Sequence, residues 1–406
     1  MFHFPLGLFS HLQGLQTVML SFPKHFGLPS NWLSTVLFLT LATTLGCTGK
    51  KEDSAKAGAS SAGAKSESAA STGKRRIVFV VNTDDPFWDA CRQGLKEGEK
   101  HFKLSDSGLS ATMEVPDGSI KGQIDRLRQL ASQSDLAGLA LSAISADNPS
   151  IAEELDNFRK KGVHVITVDG DLLRTKFRAN RKYYIGTDNE TAGEILGKAA
   201  AGILASRSKS AGGYVQFAGY TDNDNARSRM DGFKRGVGSA FSEKDRVSDE
   251  TNLSRAQENV RNALSNHRDL VALVGIWAYN APAIARAVES AGVKKEMTVV
   301  TFDAQEAAIQ EMEKGNIDAM LVQNPFDMGF QAVRLLSAMV LENASVEKEM
   351  FPNTGTDGDI YTTGLRLVVP NSGSPLKAED FDAKVVEFMK LEDFKKWLAK
   401  YNLKSS

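Results

Sequence analysis

From Arg76 onward, short runs of branched and aromatic residues alternate with longer amphipathic stretches. The apolar runs are IVFVV (77–81), LAGLALS (136–142), VHVITV (163–168), YYIG (183–186), YVQFAG (214–219), LVALVGI (270–276), MTVVTF (297–302) and DAMLVQ (318–323). Between them, IKGQIDRLRQLASQ, NPSIAEELDNFRKK and TAGEILGKAAAGILA space their apolar residues with the helical period. Continuous apolar strands separated by helices predict parallel sheets covered on both faces. The series runs twice, the second set opening near Tyr183, which predicts two doubly wound α/β lobes rather than one very large sheet. The closing stretch KVVEFMKLEDFKKWLAKYNL reads as an amphipathic helix that packs on a lobe or meets a partner.

Ligands of such sheets sit beyond the carboxyl ends of the strands, so the residues just past each run are the candidates for contact. IVFVV runs into Asn82, Asp84, Asp85, Phe87 and Trp88; LALS ends at Ser142; VHVITV ends in Asp169, Gly170 and Asp171. YVQFAG leads to TDNDNARSR with Arg227 and Arg229, LVALVGI to Trp277, MTVVTF through Phe302 to Asp303, and DAMLVQ to Gln323, Asn324 and Pro325. Each residue alone has a plain structural explanation. Asp84 or Asp85 would cap the helix that Pro86 opens, Phe87 and Trp88 would be core, and an aspartate after a strand is usually a turn residue. Together they suit a sugar, whose apolar C–H faces match flat aromatics and whose hydroxyls match Asp, Asn, Gln and Arg.

The remaining composition narrows the classes. Net charge is −1, which gives no electrostatic case for a nucleic-acid partner. None of the three body histidines (His101, His164, His267) stands at a strand end, no metal-ligand spacing occurs, and no phosphate-binding loop of the G-x-x-x-x-G-K-S/T kind is present. No cofactor is implied. Residues 1–46 carry one charged side chain, Lys24, before the run WLSTVLFLTLATTLGC, the pattern of an export signal. Cutting before Cys47 would leave a cysteine for lipidation, as in bacterial lipoprotein signals, although Thr44 stands where those usually carry leucine. Translation starting at Met19 would give the leader a more usual length. Residues 47–75 then form a flexible tether, since from Thr48 to Arg76 there is no aromatic or branched aliphatic side chain. With Cys47 lipidated, Cys91 has no partner and reads as a small buried apolar residue.

The body resembles the ribose/galactose type of periplasmic sugar-binding protein, on IVFVVNTDDPFWDACRQGLKEGEK, VITVDGD, YIGTDNETAG, NARSRMDGFKRG, VVTFDAQ and VQNPFDMG in that order over residues 76–370. The resemblance implies a periplasmic-binding-protein-like type I fold, with crossings near Asp188, Gln323 and Leu365. It implies an N-terminal lobe of 76–187 plus 324–365 and a C-terminal lobe of 188–323 plus 366–406. It also implies ligand contacts from Asn82, Asp85, Phe87, Trp88, Ser142 and Asp169 of one lobe, and from Arg227, Trp277, Phe302, Asp303 and Gln323 of the other. Gly170 replaces the arginine typical of pentose binders, and Trp277 an asparagine, so a hexose, deoxysugar or polyol is expected in place of ribose.

The expected protein is an exported, lipid-anchored monomer, periplasmic or at the cell surface, that closes on its ligand and delivers it to the permease and ATPase of an importer. Two alternatives keep the same residues: a receptor for a membrane kinase or chemoreceptor, and, more weakly, a glycoside-acting enzyme using a pair such as Asp85 and Asp169. A sugar-responsive repressor is excluded, because the leader and tether stand where a DNA-binding headpiece would be.

Overall fold

Ile77, Phe79 and Val81 pack into one core and Val78 and Val80 into another, and all five are buried, because a strand's side chains alternate between faces. This holds through the computed structural model, which describes residues 74–353 and 358–406. The first sheet contains β1 (Arg75–Val80), β2 (Leu109–Glu114), β3 (Leu136–Leu141), β4 (His164–Val168) and β5 (Tyr183–Gly186). The chain then builds β6 (Gly212–Ala218), β7 (Phe241–Ser248), β8 (Leu270–Gly275), β9 (Thr298–Phe302) and β10 (Ala319–Val322) of a second sheet. It returns to the first for β11 (Ile360–Thr362) and ends with β12 (Leu365–Val369) and β13 (Val386–Lys390) in the second. The sheet orders are β11-β5-β4-β3-β1-β2 and β13-β12-β10-β9-β8-β6-β7, parallel throughout except for β10 against β12.

The first lobe carries helices α1 (Phe87–His101), α2 (Ile120–Ala131), α3 (Pro149–Lys160) and the short α4 (Arg174–Phe177). The second carries α5 (Asn189–Ser206), α6 (Asp224–Val237), α7 (Leu253–Asn266), α8 (Asn280–Ala291) and α9 (Glu306–Glu313). After the crossing at Gln323, α10 (Pro325–Val340) packs on α1, β3 and β4 of the first lobe, followed by α11 (Ala344–Met350) and, in the second lobe, α12 (Leu391–Lys400). The backbones of α1 and α10 approach so closely that a Cβ on Gly94 would lie 1.8 Å from the Phe326 carbonyl oxygen. The pair α5 and α6 uses the same device, with Gly193 against the Arg229 carbonyl at 2.1 Å. These contacts fix α1 and α6 against their neighbours, and each helix begins in the loop that follows a strand end, β1 and β6.

Several expectations need correction. Tyr183–Gly186 closes the first series instead of opening the second, since β5 pairs with β4 and β11. Leu365 already belongs to the second sheet, the last crossing falling at Thr363–Gly364. Within KVVEFMKLEDFKKWLAKYNL only Leu391–Lys400 is helical; Val386–Lys390 extends the sheet beside β12, where its backbone gains ladder partners. Arg75 opens β1, so the described chain is ordered into the sheet one residue before the expected end of the tether. The export segment 1–46, Cys47 and the tether up to residue 73 lie outside the described residues. No helix among the described residues is long and apolar enough to cross a membrane. Cys91 is buried in the first lobe's core, and burial pushes its thiol well above its ordinary range.

The α1–α10 contact yields a stability test. Gly94→Ala should cost about 2 kcal/mol or more, the usual range for overpacking against backbone, and lower the melting temperature by several degrees in circular dichroism. Gly98→Ala, whose Cβ would meet the Val333 side chain at 3.0 Å, should cost less. Equal melting temperatures for Gly94→Ala and the parent would contradict the packing described.

Candidate functional site

Two strands end in the same unusual way, one in each lobe. Asp169, after β4, has φ +63°, and the Gly170 N–H closes a three-residue turn onto the Val168 carbonyl at 2.8 Å. Asp303, after β9, has φ +59°. Each still donates its own N–H to the sheet, Asp169 to Ile185 and Asp303 to Leu321. A left-handed conformation is costly for a residue with a Cβ and is kept where the surroundings over-determine it. Here it turns two carboxylates inward, leaving Asp169 7% and Asp303 4% exposed.

Gln323, at the second crossing, joins them. Its Nε2 donates to Thr187 Oγ1 at 2.8 Å and to Asp169 Oδ1 at 3.4 Å, and its backbone N–H donates to Asp303 Oδ1 at 3.2 Å. Its Oε1 accepts from Arg229 Nη2 at 2.5 Å. Arg229 also donates to Asn189 Oδ1 and to the Ile276 carbonyl, lies 3.7 Å from Asp303 Oδ2, and stacks over the Phe302 ring at 4.7 Å. Phe302 is wholly buried beneath it. Arg227, the arginine expected from the sequence to meet the ligand, is exposed and ion-paired with Asp224. Residues two apart do not share a helix face. The signal was present in the sequence: Ala226, Arg229, Met230, Phe233 and Val237 are buried together on α6, so Arg229 is the charge within an apolar stripe.

On the first lobe, Asp85 does two things. Its Oδ1 accepts the Phe87 N–H at 2.8 Å, capping α1, while its Oδ2 faces Gln305 Nε2 of the other lobe at 3.4 Å. Trp88 is core, 2% exposed, and its indole N–H donates to Asn82 Oδ1 at 3.2 Å. Half-buried Phe87 stands edge-on to it at 4.9 Å. Ser142 is buried, its hydroxyl 3.5 Å from Asp169 Oδ2 and accepting the Gly170 N–H at 3.2 Å. Buried Gln123 of α2 ties β1 to β3 by donating to the Val81 and Ser142 carbonyls. At Gly170 a Cβ would lie 2.6 Å from the Ala143 carbonyl oxygen, so this backbone has no room for a side chain there.

The second lobe supplies an aromatic corner. Trp277 is part-buried and lies against Gly219, where a Cβ would meet its ring at 2.2 Å. Tyr220 and Tyr279 stand edge-on to it at 6.1 and 6.3 Å. Tyr279 donates its hydroxyl to the buried Asp249, which also accepts from Asn280 at 2.8 Å. Asn225 reaches across to the Asp169 carbonyl at 3.2 Å. Tyr220, Asn225, Asp249, Tyr279 and Gln305 are residues of this region that strand-end reading alone did not select, and Arg229 was read there only beside Arg227.

Charge here is unbalanced: Asp169 and Asp303 share the one buried guanidinium of Arg229, and Asp85 adds a further carboxylate near Asp303. Burial raises all three carboxyls. Asp303 is pushed up to about 7, with Arg229 pulling the other way and the charges of Asp169 and Asp85 adding to the rise. A carboxyl at that value can accept or donate, as a hydroxyl partner should. Among the described residues, no group of three or more His, Cys, Asp or Glu is placed to hold a metal ion. A cavity of about 720 Å³ lined by Arg159, His164, Arg178, Arg181, Lys182 and Asp359 lies at the other, amino-terminal end of β4 and β5. Its buried charge is committed to an ion-pair network, Arg181 bridging Asp171 and Asp359, so the strand-end cleft is the better candidate.

Residues 77–344 match the model of the periplasmic binding protein domain. The chain belongs to that family. At the level of family and fold, this periplasmic binding protein is a substrate-binding protein and not an enzyme. It is 24% identical over 272 residues to the D-allose-binding periplasmic protein of Escherichia coli, covering 64% of this chain and 82% of that one. An ABC transporter solute binding protein from Burkholderia graminis, solved with D-arabinose, superposes with a TM-score of 0.61 at 23% identity, over 73% of this chain and 96% of its own. A XylFII–LytSN complex contains a chain with a TM-score of 0.57 at 22% identity, over 66% and 94%.

The raised carboxyls make a pH prediction. Burial lifts Asp303 from its ordinary 3.8 to about 7, so the ligand-free fold holds a proton that the unfolded chain gives up. That stabilisation is complete below about pH 4 and is lost as pH rises through about 7. Asp85 and Asp169 shift in the same direction. The melting temperature of the ligand-free protein should therefore fall between about pH 4 and 7 and level off above, with a shallower fall in Asp303→Asn. Parallel profiles for the two proteins would contradict the assignment.

Proposed function

We propose that this periplasmic binding protein is an exported, monomeric sugar receptor, anchored by lipid at Cys47, that closes on a monosaccharide or polyol and delivers it to an ATP-driven importer. One observation carries the reading. Each lobe turns a strained, buried aspartate (Asp169, Asp303) toward the same glutamine at a crossing, and each carries a part-buried aromatic past a strand end, Phe87 and Trp277. Carboxylates and amides pair with hydroxyls, and the rings cover C–H faces. A site built to bond each hydroxyl rejects analogues that lack one, because its own buried groups would be left unpaired.

Asn82, Asp85, Ser142 and Asp169 serve as the first lobe's polar contacts, with Trp88 holding Asn82 and Phe87 in place. Asp303, Trp277 and the exposed Arg227 serve from the second lobe, while Phe302, Arg229 and Gln323 hold the hinge. The absence of side-chain room at Gly170 supports a ligand other than ribose, with D-allose and D-arabinose, the sugars of the relatives, first to be tested. In the second reading the closed form is recognised by a sensor protein instead of a permease; the XylFII–LytSN neighbour supports it as an instance of this fold held in a complex.

A thermal-shift screen of pentoses, hexoses, deoxysugars, polyols and nucleosides tests the proposal. Ligand at about a thousand times its dissociation constant should add roughly 4 kcal/mol, seen as a rise of several degrees. Phe87→Ala and Asp303→Asn should remove most of that rise while remaining folded. A flat screen with folded protein would end the sugar reading.

A further inference from the structure

The segment after α12 runs between the two lobes. Leu391, Phe394 and Leu398 bury α12 in the second lobe's core, and the Arg366 guanidinium stacks on Trp397 at 4.1 Å. The flank of the same face at the helix end meets the first lobe: Tyr401 lies 4.3 Å, and Trp397 6.3 Å, from the ring of Phe326 on α10. Beyond it, Lys404 approaches Glu306 at 3.9 Å. Ser406 pairs with Ala304 through two backbone hydrogen bonds of 2.8 and 3.1 Å, and its hydroxyl lies 3.5 Å from the Gln323 carbonyl. Ser405 donates its hydroxyl to the Pro86 carbonyl at 3.2 Å.

Ser405 and Ser406 are thus buried, 6% and 2% exposed, although serine is mostly an exposed residue. Their anchor points are the residue after Asp85 in one lobe and the residue after Asp303 in the other. Those loops also touch directly through Gln305 and Asp85.

We infer that residues 401–406 form an interlobe strap in which Ser405 and Ser406 are positioning residues. Ser406 extends the Asp303–Gln305 loop of the second lobe, and Ser405 ties that loop to the Asp85–Phe87 loop of the first. The strap narrows the range of lobe opening and keeps the two acid-bearing loops in register. Its effect on ligand release rests on the proposed sugar site; its effect on opening does not.

The test uses spin labels at Val115→Cys and Asp222→Cys, exposed positions beyond β2 and β6, in the otherwise complete chain without added sugar. Ser405→Ala should lengthen and broaden the distance distribution, deletion of 402–406 should do so further, and Ser405→Thr, which keeps the hydroxyl, should restore the parental distribution. If a sugar is found, Ser405→Ala should speed its dissociation about fivefold, the worth of one net hydrogen bond, with association unchanged. Superimposable distributions for the parent, Ser405→Ala and the deletion would overturn the strap. A flat sugar screen would leave that distance result standing.

Discussion

The Arg229 guanidinium, buried between Phe302, Gln323 and Asp303, is the contact on which the arrangement of the cleft depends. It lies where the chain crosses between lobes, and it is the charge that offsets Asp303 and Asp169. A buried carboxylate without a partner costs several kcal/mol or takes up a proton. With one guanidinium for two buried acids, the ligand-free cleft meets that cost partly by proton uptake and partly through Gln323. The amide of Gln323 can serve both lobes because it sits at a crossing, so the group that organises the hinge also orients the acids.

The same sharing bears on recognition. Left-handed backbone at Asp169 and Asp303 is strain carried by the fold rather than supplied by a ligand, and it presents oriented acceptors in advance. Closure then requires a ligand with differential contacts to the two lobes. In the proposed receptor those contacts fall to Phe87 and Asp85 on one side and Trp277 and Asp303 on the other. The C-terminal strap acts on the same coordinate, shortening the path between open and closed forms.

Much of this was legible in the chain, and the omissions have a common cause. All eight apolar runs became strands, because interior strands of a parallel sheet are buried on both faces and show as continuous apolar text. The strands that escaped notice include all four sheet edges, β2, β7, β11 and β13, whose half-exposed residues break the run. The fifth, β12, is interrupted by Arg366. At the site, reading strand ends located both aspartates, Gln323 and the pair Arg227 and Arg229, but the role of Arg229 at the crossing needed the buried face of α6 to be worked out. The contact of Ser405 with Pro86 spans 319 residues, and no local pattern announces it.

The most direct measurement is hydrogen exchange of the whole protein with and without the sugar that stabilises it most. The account predicts that protection rises together in segments 81–90, 142–146 and 169–173 of the first lobe and in 219–228, 276–281 and 303–306 of the second. Protection confined to one lobe, or centred on 159–165 and 178–183 around the charged cavity, would contradict it.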